Sequence, residues 1–163
     1  MWHQDFRRGW FEDRSLATGL ATPSKGFTGF GTGWFDYDND GWLDLFVANG
    51  GVRTIPTLIR AGDIYPLHQT NQLFGNLGNG RFKEITAQAG KVFELSEVSR
   101  GAAFGDVDND GDTDIVVANN SGPVRLLVNN VGNKNHWLGL HLLNRSGNMG
   151  NFLVTLSCWE SRW

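Results

Sequence analysis

The chain repeats itself, and that repeat limits its fold more than any local propensity does. Displaced by 70 residues, Gly31–Asn49 falls on Gly101–Asn119. Gly31, Asp36, Asp38, Asn39, Asp40, Gly41, Asp44, Val47, Ala48 and Asn49 all recur unchanged. A displacement of 71 brings Gly9-Trp-Phe-Glu-Asp13 onto Gly80-Arg-Phe-Lys-Glu84, with Gly19 and Gly90 following. A weaker third block sets Asn71-Gln-Leu-Phe-Gly-Asn76 and Gly78-Asn79-Gly80 against Val124-Arg-Leu-Leu-Val-Asn129 and Gly132-Asn133. Repetition of this kind means that each unit is one supersecondary block burying its apolar face against the next.

Each unit reads as strand, Asp-rich turn, strand, then a second strand pair joined by an Asn/Gly turn. Glycine fits this reading: the chain has 22, where ordinary usage gives about eleven, and tight turns need it. Helix-forming sequence is confined to 84–99. Four short strands per unit make a propeller blade. The expected fold is therefore all-β, a partial β-propeller of about two four-stranded blades with hairpin loops. Propellers close with roughly four to eight blades, so the chain reads as a fragment of a larger ring.

The units differ in one connection. Between Asn49 and Asn71 lie 21 residues, but between Asn119 and Val124 only four. The extra segment carries Ile55, Pro56, Leu58, Ile59, Ile64, Tyr65, Pro66 and His68. Long loops on repeat scaffolds often carry recognition, which makes Ile59, Ile64, Tyr65 and His68 candidate partner-binding residues. The competing reading is a loop folded over a neighbouring blade to cover apolar surface.

Charge concentrates in the recurring turn. Nine of the 17 acidic residues lie in 36–44 and 106–114, which contain no Lys or Arg. Both windows obey Asp-x-Asp-x-Asp-Gly-x-x-Asp, with Asp36, Asp38, Asp40 and Asp44 in the first and Asp106, Asp108, Asp110 and Asp114 in the second. Alternate positions of a tight loop can all turn inward, while Gly41 and Gly111 let the backbone reverse. Two carboxylates about 4 Å apart repel by about 4 kcal/mol at an effective dielectric of about 20. A hard cation with six to eight oxygen ligands relieves that repulsion, which points to two Ca2+ sites. The carbonyls of Trp42 and Asp112, at the seventh position, are the expected backbone ligands. A solvated acidic turn holding no ion is the alternative.

The loops are not EF-hands, which need Glu at position 12 and flanking helices. Position 12 is Val47 or Val117, inside strand-like runs. Magnesium is disfavoured because it keeps its waters rather than fill a carboxylate cage.

These residues resemble the FG-GAP (VCBS) repeats of integrin-α-like β-propellers, and the resemblance implies calcium held between strands of a blade. Asn71–Phe82 taken with Asp106–Val117 is similar to the cartilage acidic protein family. Asn135-His-Trp-Leu-Gly-Leu-His-Leu142 and Ser146-Gly-Asn-Met-Gly150 resemble the opening of the ASPIC/UnbV domain that follows the propeller in that family. The expected organisation is 1–134 as propeller repeats and 135–163 as the start of an ASPIC/UnbV-like domain. After Gly150 the pattern breaks off, with Cys158, Trp159 and Trp163 crowded together, which reads as a truncation or an altered reading frame. The resemblance implies an extracellular or cell-surface interaction or adhesion module, with structural calcium and a protein partner, a glycan being the second candidate.

Other classes fit less well. His3, His68, His136 and His141 are scattered and Cys158 is the sole thiol, so no catalytic constellation is visible and the chain reads as a non-enzyme. A loop that saturates its cation with protein oxygens leaves no position for substrate. The basic residues form no run longer than Arg7-Arg8, unlike a nucleic-acid footprint. No apolar run reaches the roughly 18 residues of a membrane span. Met1–Asp5 is not a signal peptide, so a secretion signal is expected outside this chain. Asn119-Asn-Ser121 and Asn144-Arg-Ser146 match the glycosylation sequon at near-chance frequency, and Trp34 with its counterpart Phe104 is expected to pack between blades. The competing function is a structural accessory domain of a larger secreted enzyme or surface protein.

Overall fold

The computed structural model describes residues 2–5, 10–54, 56–135, 138–143 and 155–160, with side chains within 10–54 and 56–135. Along the chain run β1 (Trp2–Asp5), β2 (Trp10–Asp13), α1 (Ala21–Ser24), β3 (Gly29–Phe35), β4 (Asp44–Asn49), α2 (Pro56–Arg60), β5 (Gln69–Thr70), β6 (Gln72–Asn76) and β7 (Phe82–Glu84). Then follow β8 (Ser96–Glu97), β9 (Ser99–Gly105), β10 (Asp114–Asn119), β11 (Arg125–Leu127), β12 (Leu138–Leu143) and β13 (Thr155–Glu160).

The repeat becomes two antiparallel sheets. The first has the order β3-β4-β6-β7 and the second β11-β10-β9. In the first, Phe46 pairs with Gly33 on one side and Leu73 on the other. In the second, Val116 pairs with Ala103 and Leu126. The second sheet has three strands among the described residues, against the four expected of a blade. β1 and β2 form a separate hairpin, as do β12 and β13, while β5 pairs with β8.

Alternation along β4 explains why its four central residues, Leu45 to Ala48, are all apolar. Successive side chains point to opposite faces, and here both faces are covered. Phe46 and Ala48 join Phe35, Leu73 and Phe93 in a core shared with Ile115, Val117 and Leu127 of the second sheet. Leu45 faces the other way, into a cluster with Leu20, Phe74 and Phe82.

Small residues let the sheets approach at β3 and β9. A Cβ at Gly31 would stand 2.3 Å from the Ala102 nitrogen, and one at Gly33 would stand 2.1 Å from the Phe104 ring. Phe104 therefore packs between the sheets as expected, with its ring centroid 5.5 Å from that of Phe35 and 6.1 Å from that of Phe46. Trp34 does not share that role: it is exposed and leans on Phe82 of its own sheet, centroids 5.5 Å apart.

Helix also appears where the sequence reading placed none. The stretch 84–99 forms 3-10 turns at Thr86–Gln88 and Lys91–Glu94, but α1 and α2 lie outside it. Each is about one turn, too short to print a 3.6-residue period. Pro56 suits a first helical position, where its missing N–H costs nothing.

Candidate metal centre

Each Asp-rich turn links the first two strands of its sheet and folds around its own carboxylates. In the first, Asn39 (φ 54°) and Gly41 (φ 90°) adopt left-handed backbone; Asn109 (φ 62°) and Gly111 (φ 91°) repeat this in the second. Asp36 accepts the Asp40 N–H at 3.0 Å and the Gly41 N–H at 2.8 Å, while Asp40 accepts the Trp42 N–H at 2.8 Å. Asp106 and Asp110 accept the corresponding N–H groups of Asp110, Gly111 and Asp112 at 3.2, 3.0 and 3.2 Å.

The last aspartate of each motif anchors the turn to the sheet. Asp44 accepts the Tyr37 N–H at 2.8 Å and the Asn76 N–H at 2.7 Å. Asp114 accepts from Val107 at 2.9 Å and Asn129 at 2.8 Å. Asn76 and Asn129 thus do the same work, which gives physical meaning to the weak third block of the repeat.

Three carboxylates converge in each loop. One oxygen from each of Asp36, Asp38 and Asp40 lies within 4.8 Å of the others, and likewise for Asp106, Asp108 and Asp114. Asp44 stands outside the first group and Asp110 outside the second. The Asn133 side-chain amide donates to Asp110. At the seventh positions the two loops differ. The Trp42 indole is exposed, whereas the Asp112 carboxylate is buried and accepts the Asn133 N–H at 3.1 Å.

Burial sets the electrostatics. It pushes the Asp44 carboxyl up to about 6, against the lowering effect of the Asn76 and Tyr37 N–H groups. Asp112 is likewise pushed up to about 6, first by burial. Asp38 is raised by burial and then by Asp40 and Asp36. The Asn133 amide holds Asp110 below the usual carboxylate range. Among the described residues no Lys or Arg pairs with a loop carboxylate, and Asp38 Oδ1 is buried with no hydrogen-bond partner. Hard oxygen donors, an orphaned buried oxygen and uncompensated negative charge together fit a calcium-type cation.

The loops also touch each other, which the repeat pattern did not disclose. Asn39 donates to the carbonyls of Gly111 at 3.2 Å and Gly132 at 3.0 Å. Asn129 donates to the Tyr37 carbonyl at 2.7 Å, and Asn135 to that of Asp38 at 2.6 Å. The visible signal was the excess of Asn in 129–135.

In the long connection, Ile59, Ile64 and Tyr65 are exposed at 51%, 79% and 55%, so the segment leaves these side chains uncovered. Tyr65 stacks on His68 with ring centroids 4.6 Å apart, and His68 Nδ1 donates to the Ser96 carbonyl at 2.7 Å. Ile55, His136 and Asn144 lie outside the described residues. The sequon residue Asn119 is committed elsewhere, donating to Glu97 and to the Pro123 carbonyl at 2.8 Å each. No helix among the described residues is long and apolar enough to cross a membrane.

Three relatives are similar to this chain in sequence. The chain is 40% identical over 89 residues to cartilage acidic protein 1 of Mus musculus, 41% to that of Xenopus tropicalis and 38% to that of Homo sapiens. The matched stretch is 53% of this chain but only 14%, 14% and 13% of the relatives' own lengths. The FG-GAP-like repeat family matches residues 36–117, from the first aspartate of the first loop into the strand that leaves the second. That span is half of the chain and holds both loops with β4, β6, β7 and β9 between them, so the chain belongs to the FG-GAP-like repeat family.

Proposed function

We propose that this chain is a calcium-binding repeat module that serves protein interaction and carries out no reaction of its own. The observation that carries the reading is the convergence of three carboxylates in each loop, with no basic side chain among the described residues paired to them. Asp36, Asp38 and Asp40 hold one ion and Asp106, Asp108 and Asp114 the other, with Asp44 and Asp110 completing the acidic sets. The carbonyls of Trp42 and Asp112 supply further oxygens. Bound calcium offsets part of each loop's negative charge and ties its turn to the strands on either side.

The affinity expected of extracellular modules, about 10⁻⁴–10⁻³ M, assigns the module to a calcium-rich compartment outside the cell. The relatives' name, which refers to cartilage, agrees with that assignment. The exposed side chains of Ile59, Ile64 and Tyr65 are the interaction surface we favour. Residues 135–163 begin an ASPIC/UnbV-like domain in this reading, and the chain forms part of a larger propeller. A second reading, a structural accessory unit, draws on the hydrogen bonds that join the two loops.

Calorimetric titration of chelator-stripped protein with calcium tests the proposal. Two sites, with a melting temperature that rises with calcium concentration, are expected. A folded protein that takes up no calcium overturns it.

A further inference from the structure

Four positions in the described residues place Asn or Asp directly before Gly: Asp40-Gly41, Asn49-Gly50, Asn79-Gly80 and Asp110-Gly111. Such pairs are prone to intramolecular cyclisation, because glycine carries no side chain to obstruct attack by its own backbone nitrogen. Whether the attack occurs depends on that nitrogen being uncommitted and on room for the side chain to turn.

At three of the pairs the nitrogen is committed. The Gly41 N–H donates to Asp36 at 2.8 Å and the Gly111 N–H to Asp106 at 3.0 Å. The Gly50 N–H donates to the Thr28 carbonyl at 3.0 Å. Asn49 is moreover fully buried, and its amide donates to the Thr70 carbonyl at 3.0 Å and to Gln72 at 3.2 Å. The fourth pair differs in every respect. Asn79 and Gly80 are both exposed at the tip of the β6–β7 hairpin, and the Gly80 N–H donates to no group among the described residues. The Arg81 N–H donates to Asn79 Oδ1 at 3.1 Å. That bond withdraws electrons from Cγ and can stabilise the negative charge that develops on the oxygen during attack.

We infer that Asn79 is a site of spontaneous deamidation. The Gly80 nitrogen gives its proton to solvent base and bonds to Asn79 Cγ. The bond from Cγ to the side-chain nitrogen then breaks, and ammonia leaves with a proton from water. The resulting succinimide adds one water at either carbonyl, giving aspartate or isoaspartate at position 79. Isoaspartate lengthens the backbone by one carbon within a turn closed by the Leu77 N–H on the Arg81 carbonyl at 2.9 Å. The same hairpin holds Asn76, whose N–H anchors Asp44, so the modification loosens the support of the first Asp-rich loop. It introduces a negative charge at the hairpin tip.

The test is to hold the full chain at mildly alkaline pH and follow each asparagine by peptide mapping with tandem mass spectrometry. Asn79 is expected to deamidate at least about tenfold faster than Asn49, which can react only after its strand opens. Isoaspartate is expected among the products. The Asn79→Gln variant, aged in parallel, is expected to keep its melting temperature while the parent's falls. Repeating the map in denaturant exposes every Asn-Gly pair and is expected to bring Asn49 up to the rate of Asn79. Deamidation of Asn49 at the rate of Asn79 in the folded chain overturns the inference. So does an Asn79 that reacts in denaturant and stays intact when folded.

Discussion

The side-chain amide of Asn39, in the first Asp-rich loop, reaches the backbone carbonyl of Gly111 in the second at 3.2 Å. The same nitrogen also meets the Gly132 carbonyl at 3.0 Å. The two turns are therefore neighbours in space as well as copies in sequence. Asn39 and Asn109 occupy equivalent repeat positions with the same left-handed backbone, yet only Asn39 spans the junction. Asn109 makes no side-chain hydrogen bond among the described residues.

This asymmetry gives a controlled comparison. Glycine tolerates positive φ at either position, so replacing each Asn with Gly isolates the side chain's contribution. Asn39→Gly is expected to cost about 1–3 kcal/mol, the net worth of two hydrogen bonds. Asn109→Gly is expected to change stability by no more than about 0.5 kcal/mol. Denaturant unfolding of the two variants decides it, and equal losses would show that the junction contributes nothing.

Close approach of the sheets yields a second comparison. A Cβ at Gly31 meets the backbone of Gly101 and Ala102 within 2.3–2.8 Å, and backbone cannot swing aside as a side chain can. Gly31→Ala is expected to destabilise by about 1–3 kcal/mol or more through overpacking. At Gly105, on β9 itself, an added Cβ meets nothing within 4 Å. Gly105→Ala is therefore expected to be neutral, or to stabilise by about 0.4–1 kcal/mol by restricting the unfolded chain. Thermal melts in which both variants behave alike would mean that the sheets do not pack through Gly31.

How much of this was legible in the sequence depended on the type of residue. The Asp-x-Asp-x-Asp-Gly-x-x-Asp motif disclosed both turns because their geometry is local: aspartate caps its own loop, and glycine reverses it. The alternation Leu45-Phe46-Val47-Ala48 marked a strand with two apolar faces, although it could not say what covered each. The division of labour between Trp34 and Phe104 was hidden, because it depends on which sheet stands beside each ring. The helices at Ala21–Ser24 and Pro56–Arg60 were hidden for a different reason: one turn of helix leaves no period to read. The bonds from Asn39, Asn129 and Asn135 join residues more than 70 apart in sequence, and no local pattern encodes such pairing.

Removing one ligand tests the assignment of the metal sites. Asp108 is exposed, while Asp106 and Asp114 hold backbone N–H groups. Asp108→Ala should therefore spare the fold and lower the calcium stoichiometry from two to about one. Asp38→Ala makes the corresponding test in the first loop and also removes the unpartnered buried Oδ1. Calorimetric titration reads both variants, and an unchanged stoichiometry in a folded variant would remove that residue from the ligand set.

Proton and calcium should act in opposite directions on stability. Burial places the carboxyls of Asp44 and Asp112 at about 6 in the folded chain, above the ordinary value of 3.8. For an acid raised on folding, the folded state binds the proton more tightly than the unfolded state. The stability that this contributes is full below about pH 4 and is lost as pH rises through about 6. Asp110 is shifted the other way, and its contribution fades only below the ordinary carboxylate range, outside this window. Chelated protein should therefore melt at a higher temperature at about pH 5 than at about pH 7. With saturating calcium the slope should reverse, because the ion needs the same carboxylates ionised and protons displace it. Melting curves across that window, with chelator and with calcium, make the check. A chelated protein whose melting temperature falls on acidification would mean that the buried carboxylates are stabilised as anions in the absence of an ion.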